Sequence, residues 1–314
     1  MFSAVVFGYS EVGHRCLQAL LEHGVEVPLL FTHEDQPGEQ RWFASVAELA
    51  SAHGVRAVTP TQPAAPQWLG EIRRLAPDYL LSFYYRSMLP SQLLTLPRWG
   101  ALNMHGSLLP RYRGRAPVNW AIANGETQSG ATLHYMVERP DAGPIVAQEA
   151  VAIGPNDDAL AVSLAVAAAA ARVLTASLPA MAAGPPPGRP MDLANGSYFG
   201  GRRPEDGRID PDWPGMRVHA MIRAVAPPFP GAFADLAGRR VVFASSHLSG
   251  ERAQHPAQAP CLYATGGKLY LDCRDGVRLQ LGAVIIDGTS LDGPGFQERF
   301  GSQPLRFNFT ARDR

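Results

Sequence analysis

The sequence predicts an α/β protein with a doubly wound, mostly parallel sheet, followed by a smaller β-barrel domain. Strand and helix signals alternate through the first half of the chain, as is typical of parallel sheets. A proline- and glycine-rich segment at 182–190 separates the two halves. The second half contains short strands with glycines between them, which favours a small barrel.

The first half begins with an apolar strand at 3–8, followed by a helix at 11–23 whose helically spaced apolar residues stop at Gly24. The same alternation predicts strands at 25–32, 55–60, 78–85 and 100–105, with helices at 45–54 and 67–76. It then predicts helices at 115–124 and 157–182 around strands at 132–137 and 145–153. In such a sheet ligands bind at the carboxyl ends of the strands, so residues that follow strands are the candidates for a site.

The second half carries a helical pattern at 212–226 and then a series of short strands. These are predicted at 231–236, 239–245, 261–265, 268–273 and 277–287. We therefore expect an N-terminal domain at 1–188 that holds the site, a linker at 189–206 and a C-terminal domain at 207–314.

Charge, lysine content and cysteine content argue against several classes of function. The 314 residues include 28 basic and 28 acidic ones, so a net charge of +0 provides no general basic surface for nucleic acid. Lys268 is the one lysine, which leaves little room for Schiff-base or P-loop chemistry. The three cysteines are odd in number and lack zinc-site spacing, so we expect neither a metal nor a disulfide framework.

The hydropathy pattern predicts a cytoplasmic protein without membrane insertion. The N-terminus has no basic n-region and is typical of a buried strand rather than of a signal peptide. No apolar run reaches membrane-spanning length without a charge or a proline; the longest, at 159–171, is alanine-rich and indicates a helix.

The glycines after the first strand do not indicate dinucleotide binding. Residues 8–13 read G-Y-S-E-V-G, with Ser10 where the G-x-G-x-x-G fingerprint needs its second glycine. No acidic residue follows the second predicted strand closely enough to bind a ribose. A plain strand-to-helix turn is the better interpretation.

Asn103 and His105 are the first candidates for catalysis. They lie at the end of a predicted strand, on one side of it by the period of two, and they precede a loop rich in proline, glycine and arginine. A single histidine is more often structural. However, an amide can donate a hydrogen bond to an oxyanion and an imidazole can move a proton near neutral pH, so this context favours catalysis.

Two further features are open to a structural or a functional interpretation. Asp141 lies in the sequence PDAG, which is typical of a turn, and it could equally be a carboxylate that supports a protonated His105. The following loop carries Arg111, Arg113 and Arg115. Solvated arginines are the ordinary case, whereas three beside a candidate site suggest an anionic ligand, most simply phosphate.

The motif N-x-H-G-S-L-L-P-x-Y-R-G-R-A-P at 103–117, followed by D-A-G at 141–143, resembles the folate-dependent formyltransferases. Residues 205–213 (EDGRIDPDW) and 219–233 (HAMIRAVAPPFPGAF) are similar to the second domain of that family, so the resemblance covers nearly the whole chain. It implies a Rossmann-like catalytic domain and an open, OB-like C-terminal barrel. It also implies transfer of a formyl group from 10-formyltetrahydrofolate to an amine, without a metal.

The resemblance also assigns site residues. Asn103, His105 and Asp141 match the catalytic set of the family. Its folate pocket falls on two segments that comprise Ser87, Met88, Leu89, Val137, Glu138, Arg139, Pro140 and Asp141. Its nucleotide-sugar contacts fall on Arg115, Asn119, Arg202 and Arg203.

Within the family, the likeness is greatest to the part of the bifunctional polymyxin-resistance enzyme that N-formylates UDP-4-amino-4-deoxy-L-arabinose for lipid A modification. The segments FTHEDQPGE at 31–39, SFYYR at 82–86 and NGET at 124–127 contribute to it. We therefore expect a stand-alone formyltransferase for a UDP-linked amino sugar, with other nucleotide-linked amino sugars as alternatives. The oligomeric state is left open.

Methionyl-tRNA formyltransferase is the runner-up, since it shares the catalytic set and both domains. It usually has alanine in place of Arg115 and a basic insertion after the second strand. Here residues 33–43 carry Glu34, Asp35 and Glu39 with a single arginine, a pattern that would repel RNA. A non-catalytic nucleotide-binding protein is a third possibility, and the intact Asn-His-Asp set argues against it.

Overall fold

The computed structural model describes residues 2–35, 41–236, 238–256 and 259–307. They form two compact units, between which the chain passes several times. The first unit comprises Met1–Pro117, Gln128–Ala152 and Ser163–Gly200. The second comprises Val118–Thr127, Ile153–Val162 and Gly201–Arg314.

A seven-stranded sheet forms the centre of the first unit. The first eight strands of the chain are β1 (Ser3–Gly8), β2 (Glu26–Phe31), β3 (Ala57–Val58), β4 (Tyr79–Phe83), β5 (Gly100–His105), β6 (Arg113–Gly114), β7 (Gln128–Tyr135) and β8 (Ile145–Ala152). All but β6 belong to the sheet, in the order β3-β2-β1-β4-β5-β7-β8. The strands from β1 to β5 pair in parallel, whereas β7 and β8 are antiparallel to their neighbours. The predicted doubly wound, mostly parallel sheet is confirmed.

Six helices lie along this half of the chain, namely α1 (Ser10–Glu22), α2 (Val46–Ala52), α3 (Pro66–Leu75), α4 (Ser91–Leu94), α5 (Pro117–Ala123) and α6 (Ala159–Ala183). The central strands are runs of large apolar residues, which suits a sheet covered on both faces. Phe7 of β1 stacks on Phe31 of β2 with ring centroids 4.4 Å apart. Ile72 of α3 and Leu93 of α4 are fully buried in the same core cluster.

By length and composition, α6 is apolar enough to cross a membrane, and 44% of its most apolar window is buried. The helix packs on the sheet of the first unit. The Tyr79 hydroxyl on β4 donates to the carbonyl of Met181 at 3.1 Å, and Arg172 forms an ion pair with Glu149 of β8. Core helices of globular proteins have the same composition, and we interpret α6 as one of them.

Two antiparallel sheets form the second unit. Its strands are β10 (Ala232–Leu236), β11 (Arg239–Phe243), β12 (Ser246–Arg252), β13 (Cys261–Thr265), β14 (Lys268–Asp272), β15 (Val277–Leu281), β16 (Val284–Ile286), β17 (Thr289–Leu291) and β18 (Leu305–Arg306). One sheet has the order β10-β11-β16-β17 and the other β12-β15-β14-β13-β18. Helices α7 (Gly215–Ala224) and α8 (Gly293–Phe300) complete it. This antiparallel, short-stranded unit confirms the predicted class of the C-terminal domain.

The predicted strand at 277–287 is in fact two strands in different sheets. β15 pairs with β12 and β14, whereas β16 pairs with β11 and β17. Gly282 separates them at a point where an added Cβ would overlap the Ser245 hydroxyl. Gly282 thus marks the point where the chain passes from one sheet to the other, as glycines within strand sequences often do.

His219 of α7 is fully buried in the second unit and uses both ring nitrogens. Nε2 lies 2.8 Å from the carbonyl of Pro155, so it carries the proton, and Nδ1 lies 2.8 Å from the Ser246 hydroxyl, which can donate to it. Burial lowers the pKa of His219 to about 4; the Pro155 bond opposes this shift, and the charges of Arg223 and His247 add to it. The folded state therefore favours the neutral ring.

We expect the unfolding free energy to fall as the pH drops from about 6.5 towards 4, because the unfolded chain takes up a proton at the ordinary histidine pKa of about 6.5 and folded His219 does not. The unfolded state binds more protons in this window, so acid favours it. The loss should be of the order of 1–2 kcal/mol between pH 7 and pH 5. Urea unfolding at both pH values should show a smaller loss in His219→Gln; equal losses would contradict the assignment.

Candidate active site

Strand β5 places Asn103 and His105 at the edge of the sheet where the parallel strands end. Its antiparallel neighbour β7 sets His134 directly opposite Asn103, and Thr132 opposite His105. Directly opposed residues on adjacent strands have close Cβ atoms, so the two strands present a polar cluster at this edge. The residue after His105 is Gly106, and a side chain does not fit there because an added Cβ would overlap the Tyr84 hydroxyl.

Asp141 meets this cluster from the turn between β7 and β8. Its Oδ1 lies 3.6 Å from His105 Nδ1 and 3.6 Å from His134 Nε2. Asn103 Nδ2 lies 3.1 Å from His134 Nε2 and 3.5 Å from Asp141 Oδ1. The structure thus brings together the three residues that the sequence singled out, and it adds His134, which sequence analysis missed.

Hydrogen-bond chemistry decides which nitrogens of the two imidazoles carry protons. His105 Nε2 lies 2.8 Å from the carbonyl of Tyr112, and a carbonyl only accepts, so Nε2 donates. Nδ1, which faces Asp141, is then the nitrogen that gains and loses a proton. His134 Nδ1 likewise donates to the carbonyl of Tyr135 at 2.8 Å, so its Nε2 accepts from Asn103 Nδ2.

Asp141 is both a turn residue and a member of the cluster. Its φ of 49° lies in the left-handed region, which aspartate tolerates better than most residues. Its Oδ2 accepts from the backbone N–H of Gly114 at 2.8 Å. Burial alone would raise the pKa of Asp141, but the charge of His105, the contact with His134 and the Gly114 bond outweigh it and hold this pKa well below its usual range. The carboxylate therefore stays ionised at neutral pH and can balance a proton on His105.

The arginine-rich loop after His105 is held by a short strand of the linker, β9 (Tyr198–Phe199), which pairs in parallel with β6. Arg113 is buried, at 5% exposure, whereas Arg111 and Arg115 of the same loop are exposed. It lies on the two-residue strand β6, so the three arginines do not share one face of a strand. Arg115 bonds through its backbone N–H to Phe199 and keeps its side chain exposed.

Two parts of the chain match known protein families. The sequence model described as formyl transferase matches residues 3–178, more than half of the chain, and the model described as formyl transferase, C-terminal domain, matches residues 202–294. The chain belongs to the formyl transferase family. It is accordingly an N-formyltransferase, as the motif at 103–117 predicts.

Solved structures share the fold of this formyltransferase. An N-formyltransferase from Helicobacter canadensis, solved with folinic acid and dTDP-3-aminofucose, is 18% identical over 90% of this chain and 99% of its own, with a TM-score of 0.69. WlaRD, a sugar 3N-formyl transferase solved with dTDP and 5-N-formyl-THF, is 18% identical over 90% and 97%, with a TM-score of 0.66. HypX from Aquifex aeolicus, solved with tetrahydrofolic acid, is 18% identical over 96% of this chain and 47% of its own, with a TM-score of 0.63.

The predicted folate segments of the formyltransferase differ in exposure. Met88 and Val137 are exposed at 67% and 42%, which is unusual for large apolar side chains. Glu138 and Arg139 are also exposed, and Ser87 and Pro140 are partly buried. Leu89 is buried, and its side chain belongs to the apolar core cluster that contains Leu93.

The remaining predicted sugar contacts belong to the second unit. Asn119 is buried and donates through Nδ2 to the carbonyl of Ala224, the last residue of α7, at 2.8 Å; its contact with a nucleotide sugar stays a prediction. The Arg202 guanidinium lies 4.4 Å from the centre of the Trp120 ring. Its Nε and Nη1 are buried without a hydrogen-bond partner in the described part of the protein. Arg203 is exposed.

Two further predictions concern the loop after β2 and metals. In the acidic segment at 33–43, residues 36–40, which include Glu39, lie outside the described residues. Asp35 accepts from the Tyr9 hydroxyl and pairs with Arg41.

Among the residues that the structure describes, no three His, Cys, Asp or Glu side chains are grouped so as to hold a metal ion.

Proposed function

We propose that this formyltransferase transfers the formyl group of 10-formyltetrahydrofolate to the amino group of a nucleotide-linked amino sugar, with UDP-4-amino-4-deoxy-L-arabinose as the first candidate. One observation carries the proposal. A single loop joins the His105–Asp141 pair, through the bond from Gly114, to the exposed guanidinium of Arg115. Proton transfer and recognition of a diphosphate therefore belong to the same segment.

The residues present suit a folate. The folate supplies the formyl group bonded to a ring-linked nitrogen that leaves on transfer. The exposed side chains of Met88 and Val137, on the segments that follow β4 and β7, offer apolar contacts for a flat ring, and exposed apolar groups on a protein surface often mark a ligand site. The folate compounds in the structures from H. canadensis and of WlaRD support this assignment.

His105 is proposed to move the proton. Its Nδ1 can take a proton from the attacking amine while Nε2 stays bonded to Tyr112, so the ring keeps its orientation during the step. Asp141 stabilises the imidazolium that results, since its carboxylate lies 3.6 Å from Nδ1. The same Nδ1 can then return the proton to the leaving nitrogen.

Asn103 is proposed to stabilise negative charge on the formyl oxygen. One N–H of its amide is directed at His134 Nε2, at 3.1 Å, which holds the group in place. The other has only a 3.5 Å contact with Asp141 and is available to a substrate oxygen. His134 would thus position Asn103, in the way that Asp141 positions His105.

The choice of a sugar nucleotide rather than tRNA rests on charge. A guanidinium at position 115 can bond two phosphate oxygens at once, and the neighbours from H. canadensis and WlaRD were solved with dTDP-linked sugar and dTDP. UDP-4-amino-4-deoxy-L-arabinose is favoured within this class by the likeness of the segments at 31–39, 82–86 and 124–127 to the polymyxin-resistance enzyme. Incubating the enzyme with formyl-folate and either UDP- or dTDP-linked amino sugars or methionyl-tRNA tests the choice, with product mass as the readout. Efficient formylation of tRNA alone would overturn it.

Arg115→Ala should raise KM for the nucleotide sugar by roughly 10- to 100-fold, which corresponds to about 1.5–3 kcal/mol for a charge-assisted contact. KM for formyl-folate should change little, because Met88 and Val137 are unaltered. Steady-state kinetics with each substrate varied in turn measure both values. Arg73→Ala is the control, because it removes the same charge from an exposed position on α3. Unchanged sugar kinetics in Arg115→Ala would remove Arg115 from the binding site.

A further inference from the structure

Residues of the linker form an unbroken set of backbone bonds with the arginine-rich loop. Ser197 N–H donates to the carbonyl of Pro110 at 3.2 Å, and Arg113 N–H donates back to the carbonyl of Ser197 at 3.0 Å. Arg115 N–H then donates to the carbonyl of Phe199 at 3.0 Å. The linker segment is therefore part of the fold around the catalytic residues.

Ser197 also contributes its side chain, and this bond leads to His105. The Ser197 hydroxyl accepts from the backbone N–H of Tyr112 at 2.8 Å. The carbonyl of the same residue, Tyr112, accepts from His105 Nε2 at 2.8 Å. Both bonds belong to one residue with a φ of 57°, a conformation that side-chain-bearing residues rarely adopt without support from their surroundings.

The linker supports the carboxylate side of the cluster as well. The Tyr112 and Phe199 rings stack with centroids 5.1 Å apart, which fixes the loop against β9. Gly114, whose N–H bonds to Asp141, has a φ of 97° and sits so close to β9 that an added Cβ would overlap the carbonyl of Phe199. The hydrogen-bond partners of His105 and of Asp141 are therefore both set by the linker.

We propose that Ser197 is a positioning residue for the transfer reaction: through Tyr112 it holds His105 as the Nε2–H tautomer, with Nδ1 directed at Asp141. The proposal rests on the proposed role of His105 as the proton carrier. Without the serine hydroxyl, the N–H of the peptide between Arg111 and Tyr112 loses its acceptor. Tyr112 is then held less firmly at its φ of 57°, and the carbonyl that follows, to which His105 bonds, can turn. His105 would then be free to turn away from the geometry that proton transfer needs.

The test compares Ser197→Ala with Ser197→Thr, which keeps the hydroxyl. Asn195→Ala is the control, since this exposed linker residue bonds only to Asp192 among the contacts described. Ser197→Ala should lower kcat about 5- to 30-fold with both KM values unchanged within about twofold, as expected when alignment rather than binding is lost. Ser197→Thr and Asn195→Ala should keep most of the activity.

A second readout needs no substrate. In the wild-type protein labelled with ¹⁵N-histidine, His105, assigned with His105→Ala, should show the Nε2–H tautomer at a pH where the ring is neutral. Ser197→Ala should show a mixture of tautomers. If Ser197→Ala unfolds, Ser197→Cys, which has similar size but is a weak acceptor, takes its place.

The two readouts separate the two proposals. An unchanged tautomer together with unchanged kcat in folded Ser197→Ala or Ser197→Cys would overturn the positioning role. Equal losses of kcat in Ser197→Thr and Ser197→Ala would also overturn it, because the hydroxyl would then not matter. If the wild-type protein formylates no amino sugar, the proposed function fails, and the tautomer of His105 still decides whether Ser197 positions it.

Discussion

Replacing His105 or Asn103 with alanine is expected to lower kcat by about 100-fold or more, the usual scale for losing an acid–base group or an oxyanion donor. His105→Ala removes the nitrogen that faces Asp141 and with it the path for the amine proton. Asn103→Ala removes the amide N–H that we propose donates to the formyl oxygen, which in the structure lies 3.5 Å from Asp141 Oδ1. Both residues belong to strand β5, which pairs with its neighbours through backbone groups, so loss of the two side chains should leave the sheet intact.

Steady-state kinetics of the purified proteins, with circular dichroism to verify folding, measure this effect. His53→Ala is a suitable control because this histidine is exposed at the end of α2 and bonds only locally, to Leu49. Near-wild-type turnover in folded His105→Ala or Asn103→Ala would remove that residue from the mechanism.

Asp141→Asn should lower kcat by about 10- to 100-fold and move the acid limb of the pH–rate profile to lower pH. The amide can still accept from the Gly114 N–H, so the loop geometry is kept. It carries no negative charge, so the protonated form of the site is no longer stabilised by a carboxylate. Because the pKa of Asp141 lies well below its usual range, the carboxylate itself contributes no limb near neutral pH.

The pH dependence of kcat/KM for Asp141→Asn and wild-type enzyme, measured under identical salt, tests this prediction. A mutant with full activity and an unmoved acid limb would show that Asp141 serves the turn and not the chemistry. A lower kcat with an unchanged acid limb of the pH–rate profile would show that Asp141 acts through the geometry of the site alone.

Much of the first unit could be predicted because its signals are local. Buried apolar runs and helical periodicity fixed the order of strands and helices, and the ends of the strands located Asn103 and His105. His134 was missed for a physical reason. Its place beside Asn103 depends on the antiparallel register between β5 and β7, which arises from a pairing that no local pattern encodes.

Burial of polar and loop residues is harder to predict than the order of the elements. Asn119 and Leu89 were assigned to the site by resemblance, and Arg113 lies in the arginine-rich loop; all three side chains are buried, which a sequence motif does not reveal. In the second unit, β12 escaped prediction because its sequence, SHLSGER, has no apolar alternation, and α8 because it begins with Gly-Pro-Gly, a pattern typical of a turn. Asp292 nevertheless caps α8 by accepting from the N–H of Gly295.

We propose that this enzyme moves a formyl group from folate to a sugar amine by way of His105 and Asn103. The most direct measurement uses 10-formyltetrahydrofolate carrying a ¹³C-formyl group, with UDP-4-amino-4-deoxy-L-arabinose as acceptor and mass spectrometry of the sugar nucleotide. We predict labelled N-formyl product with the wild-type enzyme and about 100-fold less with His105→Ala. No labelled sugar from the wild-type enzyme, across UDP- and dTDP-linked amino sugars, would contradict the claim.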